Sequence, residues 1–201
     1  MAVVSTVESL VKIRNHGLHE LSEQQILDCN NEGKGCGGGR GTKSNGGTRS
    51  LAFSYIAGNK GLALRKDYPY TAKDGKCDRE KEKQVAENTA IRGYARVRPA
   101  TETELMATVT RQPVTVGVAF PRNILQFYQS GIFTGPCGND NDHVVTVVGY
   151  GQEALTPYWI VRNTWGASWG EQGYIRMKRF ADDRNPGGLC EIAKYGSYPT
   201  M

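Results

Sequence analysis

His143 and Asn163 are the residues whose types and spacing promise chemistry. Asp142-His143 opens the apolar run Val144-Val145-Thr146-Val147-Val148, and Asn163 follows a second strand-like run, Tyr158 to Arg162. A histidine and an asparagine on adjacent strands can act as base and orienter in a triad whose nucleophile is a cysteine. The imidazole takes the thiol proton, and the asparagine fixes the ring by accepting from its other N–H. What such a pair requires is a thiol brought to it by another part of the chain.

The chain has five cysteines, Cys29, Cys36, Cys77, Cys137 and Cys190. None forms a Cys-x-x-Cys pair, which argues against a zinc ribbon or a dithiol redox motif, and no metal site is expected. Wide spacing in a glycine-rich chain suits disulfides in an oxidising compartment. An odd count leaves one sulfur without a partner inside this sequence.

The elements that must position His143 and Asn163 are legible from periodicity. Val3, Val7, Leu10 and Val11 repeat at helical spacing, and Glu8 and Lys12 form an i,i+4 pair on another face. Gly17 closes that helix. Ser22-Glu23-Gln24-Gln25 has the form of a capping box leading into a short helix that ends at Cys29. Thr48 to Gly58 reads as a third helix, and Thr101-Glu102-Thr103-Glu104 is another capping box. From Pro113 on strands dominate: Val114 to Val118, His143 to Val148, Tyr158 to Arg162 and Tyr174 to Lys178. Helices first and strands later indicate an α+β fold with a helical lobe and a β-barrel-like lobe.

Composition narrows the function. At 201 residues the chain suits one large domain, or one domain in two lobes. Its net charge of +5 is too mild to mark a polyanion binder. Arg92, Tyr94, Arg96 and Arg98 alternate with Ile91, Gly93, Ala95 and Val97, the pattern of a half-exposed strand rather than of RNA contact. Residues 30 to 47 are a glycine-rich loop, but Thr42 stands where a phosphate-binding loop needs glycine, and no strand precedes it. No apolar stretch approaches the ~20 residues of a membrane span. The first residues carry neither a basic segment nor a cleavage site of a signal peptide. Neither nucleic-acid nor membrane partners are expected.

The segment Leu21-Ser22-Glu23-Gln24-Gln25-Ile26-Leu27-Asp28-Cys29 resembles the second-helix signature of papain-like cysteine peptidases. Asp67-Tyr68-Pro69-Tyr70, Gly131-Ile132-Phe133 with Gly135-Pro136-Cys137, and Asp142-His143 with Gly149-Tyr150-Gly151 are similar too. The most specific tract is Asn163-Thr164-Trp165-Gly166 through Gly173-Tyr174, and the likeness runs in order to the ending Ser197-Tyr198-Pro199-Thr200. It is closest to the plant members of the family.

The resemblance implies a two-lobed papain-like fold in one peptidase domain over residues 1–201, with about 1–100 mainly helical and about 101–201 mainly β. It makes His143 the base, Asn163 its orienter and Trp165 the cover of their bond, with Trp169 in the core. A lone histidine is more often a core residue; the asparagine and tryptophan at the family spacing overturn that here. The resemblance pairs Cys29 with Cys77 and Cys137 with Cys190, and leaves Cys36 unpaired. Gly46 and Gly47 would bind substrate backbone, which makes residues 37–44 a loop insertion. Thr48, Gly117, Val144 and Tyr195 would line a mostly apolar pocket for the residue two before the scissile bond.

In this family the nucleophile lies roughly 130–150 residues before the histidine, and alignment of Thr6-Val7-Glu8 through Lys12-Ile13-Arg14 with the family places it about three residues before Met1. The chain is therefore expected to be N-terminally truncated, without the cysteine or the glutamine of the oxyanion hole, and inactive as written. Insertion and truncation together suggest an imperfect gene model. Nothing positions Cys36 to substitute for the missing thiol. The expected partners are protein or peptide substrates and cystatin-type inhibitors, with no cofactor, acting as a monomer. The family implies a secreted, vacuolar or lysosomal location. A non-catalytic homologue that binds peptides or inhibitors is the alternative.

Overall fold

The computed structural model describes residues 1–14, 17–30, 48–141, 143–180 and 185–201. Cys36, Gly46, Gly47 and the expected insertion at 37–44 lie outside the described residues. The chain divides into two compact units. One comprises Val3–Ala95 with Met1 and Pro199–Met201; the other comprises Arg96–Tyr198 with Ala2. Among the described residues, no helix is long and apolar enough to cross a membrane.

The first unit is built on three helices, α1 (Ala2–Ile13), α2 (Glu23–Cys29) and α3 (Arg49–Gly58), with a short fourth, α4 (Arg79–Glu82). Its core follows from the helical spacing of α1: Val3, Val4, Val7 and Val11 pack with Leu21, Phe53, Ile56, Leu62 and Ile91. Each such side chain buried contributes about 1.5–3 kcal/mol.

Helix α2 is unusual in burying polar residues, and each has a partner. Ser22 caps it by accepting from the Gln25 N–H at 3.0 Å. Its hydroxyl donates to the Tyr68 carbonyl at 2.7 Å. The return bond of a capping box is not made. The Gln25 side-chain oxygen accepts instead from the Ala63 N–H at 2.7 Å, because the backbone there runs alongside the helix entry and the Ser22 N–H is already used on the Ala63 carbonyl. Gln24 accepts from the Thr71 N–H and donates to the Lys73 carbonyl. Glu23 takes both Nε and Nη2 of Arg65. An irregular stretch of chain is thus held by side chains rather than by strands, since buried backbone groups must find partners. A Cys29–Cys77 disulfide closes this region.

The second unit carries the sheet. Strand β1 (Gly93–Arg96) straddles the division, and helix α5 (Glu102–Val109) is capped by Thr101, which accepts from the Glu104 N–H. Then come β2 (Val114–Val118), the short helix α6 (Arg122–Leu125), β3 (Ile132–Phe133), β4 (His143–Glu153), β5 (Thr156–Arg162), β6 (Tyr174–Lys178) and β7 (Ser197–Thr200). The order is β1-β7-β2-β4-β5-β6-β3; from β7 onward the pairs are antiparallel except for β3–β6, which is parallel. The sheet is not closed. Its core gathers Val114, Val116 and Val118 of β2 with Val145, Val147, Trp159, Val161, Ile175 and Met177.

Strand β4 continues five residues beyond Val148, to Glu153. A shift of register between Val147 and Gly149 interrupts the ladder at Val148, and pairing with β5 resumes through Gly149 and Gly151.

Candidate active site

His143 opens β4 and Asn163 follows β5, and these strands are antiparallel neighbours. The arrangement brings His143 Nε2 to 2.8 Å from Asn163 Oδ1. The same oxygen accepts from the Thr164 backbone N–H at 2.8 Å. A backbone N–H can only donate, so the atom facing it must be the amide oxygen, and Nε2 of the imidazole must then carry a hydrogen. In the neutral ring the lone pair consequently sits on Nδ1, the nitrogen turned away from Asn163. That is the tautomer a base requires.

Asn163 is 5% exposed. It is held from the backbone as well, its N–H donating to the Gly173 carbonyl at 2.9 Å. The tract 163–174 doubles back to make this bond. Gly170 has φ +56°, and a Cβ there would stand 2.6 Å from the Tyr174 carbonyl oxygen, so this turn admits only glycine. Among the described residues the Asn163 Nδ2 is buried without a hydrogen-bond partner.

Aromatic rings surround the imidazole. The Trp165 centroid lies 5.2 Å from that of His143, tilted by 42°. Trp169 meets Trp165 edge-on, also at 5.2 Å. Trp169 is in the core and donates its indole N–H to the Leu125 carbonyl at 2.8 Å. On another side Phe120 stacks on His143, centroids 5.3 Å apart and planes 28° apart. Sequence reasoning missed Phe120. The signal lies in strand register: Val118 is opposite His143, so Phe120, two residues on, is a diagonal neighbour within reach.

The remaining candidate residues are distributed as follows. Gly117 and Val144 are paired across β2 and β4. Tyr195 is exposed, with the Lys194 ammonium 5.4 Å from its ring centroid. Thr48 belongs to the first unit, where it caps α3 by accepting from the Leu51 N–H. Cys137 and Cys190 form a disulfide. Among the described residues every cysteine is disulfide-bonded. Glu82 approaches Cys29 and Cys77, but two sulfurs joined to each other are not thiolates and make no metal site.

Two charged clusters frame this unit. The Glu171 carboxylate receives Nε and Nη2 of Arg176 and the Gly131 N–H. The arginine, its largest influence, holds Glu171 below the usual carboxylate range. Glu102 is buried, and burial pushes its carboxyl up; the Trp159 indole N–H at 2.7 Å and the Phe180 N–H at 2.9 Å oppose that shift.

A fold of this kind, with an imidazole held by a buried amide oxygen, is shared with known proteins. A family profile described as "Papain family cysteine protease" matches residues 1–200. The KDEL-tailed cysteine endopeptidase CEP2 of Arabidopsis thaliana is 42% identical over 199 residues, covering 98% of this chain and 52% of its own length. Stem bromelain of Ananas comosus is 44% identical over 200 residues, covering 100% of this chain and 85% of its own length. A structure of the bromelain protease from Ananas comosus with the E64 inhibitor superposes with a TM-score of 0.86 at 45% identity, over 100% of this chain and 86% of that one. The chain thus spans about half the length of CEP2 (52%) and most of stem bromelain (85%). It belongs to the papain family of cysteine proteases.

Proposed function

We propose that this chain supplies the base and the orienter of a peptide-bond hydrolase whose nucleophile is a cysteine outside these 201 residues. The observation that carries the reading is the 2.8 Å bond from His143 Nε2 to Asn163 Oδ1, with the Thr164 N–H fixing which amide atom faces the ring. His143 Nδ1 accepts the proton of the cysteine thiol, giving a thiolate and an imidazolium. The thiolate attacks the peptide carbonyl. The imidazolium then protonates the leaving amine, and the neutral ring takes a proton from the water that hydrolyses the acyl-enzyme. Asn163 keeps the ring aimed through these transfers, and Trp165 shields the His143–Asn163 bond.

Protein and peptide substrates, and inhibitors of the cystatin type, are the partners of this reading, with a monomer as the acting form. Gly117, Val144 and Tyr195 favour an apolar side chain two before the scissile bond. The whole protein acts in a secretory, vacuolar or lysosomal compartment, which its disulfides suit. The 201 residues alone do not cleave peptides. Translation of the genomic DNA upstream of Met1 tests this: an in-frame segment with glutamine, cysteine and tryptophan is expected. A start codon and promoter there instead would favour a non-catalytic homologue.

A further inference from the structure

The Phe120 ring stacks on the imidazole, and the backbone just before it is held on two sides. Phe120 is 4% exposed. Its ring lies 5.3 Å from that of His143, with 28° between the planes, while Trp165 approaches at 5.2 Å. The preceding residue is fixed twice: the Ala119 N–H donates to the Cys190 carbonyl at 2.9 Å, and the Gly138 N–H donates to the Ala119 carbonyl at 2.8 Å. Cys137, beside Gly138, is disulfide-bonded to Cys190. A Cβ on Gly138 would stand 2.9 Å from the Phe120 carbonyl oxygen. The two backbones that grip Ala119-Phe120 are therefore stapled to each other, and the approach of one of them requires glycine.

We propose that Phe120 is a positioning residue: with Trp165 it limits rotation of the His143 ring, so that Nε2 stays on Asn163 and Nδ1 stays turned toward the reacting thiol. The hydrogen bond to Asn163 fixes one atom of the ring but leaves rotation about that contact. Flat aromatic faces remove this freedom by dispersion and by the attraction of ring edges and faces. The stacking also suits the imidazolium, since an aromatic face attracts cationic charge.

The importance of this positioning rests on the reading of His143 as the proton acceptor, but its test needs no peptidase activity. A failed hydrolysis assay and a failed test of Phe120 are therefore told apart. The Nε2 proton of His143 is followed by nitrogen-15 NMR of the 201-residue chain, with its three histidines assigned by substitution. The Trp169 indole proton, bonded to the Leu125 carbonyl in the same core, is the internal control. Phe120→Ala and the bulkier Phe120→Leu are expected to speed solvent exchange of the His143 proton at least about tenfold, leaving the Trp169 proton at its original rate. Phe120→Tyr restores slow exchange. Unchanged exchange at His143 in the Ala and Leu variants overturns the proposal. So does equal acceleration at Trp169, which would make Phe120 a packing residue only.

Discussion

The amide oxygen of Asn163 accepts two hydrogen bonds at 2.8 Å, one from His143 Nε2 and one from the Thr164 N–H. The second bond makes the first directional. An asparagine free to flip could present either its oxygen or its nitrogen to the ring, and the imidazole would adapt its tautomer to match. The adjacent backbone donor removes that choice. The geometry of the imidazole is thus set by the turn that follows β5 as much as by the histidine itself.

Replacing Asn163 separates acceptor from shape. Asn163→Ala should shift the neutral ring away from the Nε2–H tautomer and destabilise the protein by about 1–3 kcal/mol, since the partly buried Thr164 N–H also loses its partner. Asn163→Asp keeps both acceptor bonds and should keep the tautomer. Nitrogen-15 shifts of the His143 ring report the tautomer and chemical denaturation the stability. A ring unaltered in the alanine variant would refute the assignment.

The Glu171–Arg176 pair predicts a pH signature. Glu171 titrates below its ordinary range in the folded protein because Arg176 and the Gly131 N–H favour the carboxylate. Its contribution is therefore present above the unfolded value of about 4.3 and is lost as pH falls through the lower folded value. Glu171→Gln should cost about 1–2 kcal/mol at neutral pH, as the loss of a partly exposed charge-assisted contact does. The difference between the two proteins should shrink as pH drops below about 4. Denaturation midpoints across that range are the measurement, and a difference independent of pH would count against the pair.

Removing the Cys137–Cys190 bond, which spans 53 residues of sequence, frees the unfolded chain by about 4 kcal/mol on the loop-entropy account. Paired replacement by serine should lower the thermal midpoint markedly. It should also loosen Ala119-Phe120, speeding exchange of the His143 Nε2 proton more than that of Trp169. Equal exchange at both would show that the disulfide acts on stability alone.

Much of the frame was legible in the residues. Val3, Val7 and Val11 mark the buried face of α1, and Ser22 and Thr101 announce the caps of α2 and α5. His143 and Asn163 were recognisable because strand, turn and tryptophan recur at fixed intervals around them. Less local relations were hidden. Gln25 reads as half of a capping box, but its side chain is claimed by Ala63, 38 residues away. Phe120 lies beyond the strand expected at Val114 to Val118, and only the register of β2 on β4 brings it onto the imidazole. Pairing distance in sequence separates the two groups: caps and helical faces are decided within a few residues, whereas register is decided by the whole sheet.

The central claim is that His143 and Asn163 serve a thiol outside these 201 residues, and hydrolysis of a fluorogenic dipeptide amide tests it most directly. Two proteins are compared, the chain as printed and the chain extended upstream by the residues encoded in frame before Met1. The extended protein should hydrolyse the substrate, lose that activity on alkylation of its thiol, and lose most of it in a His143→Ala variant, while the short chain stays at the rate of buffer. Hydrolysis by the short chain, or an extended protein indifferent to His143→Ala, would contradict the account.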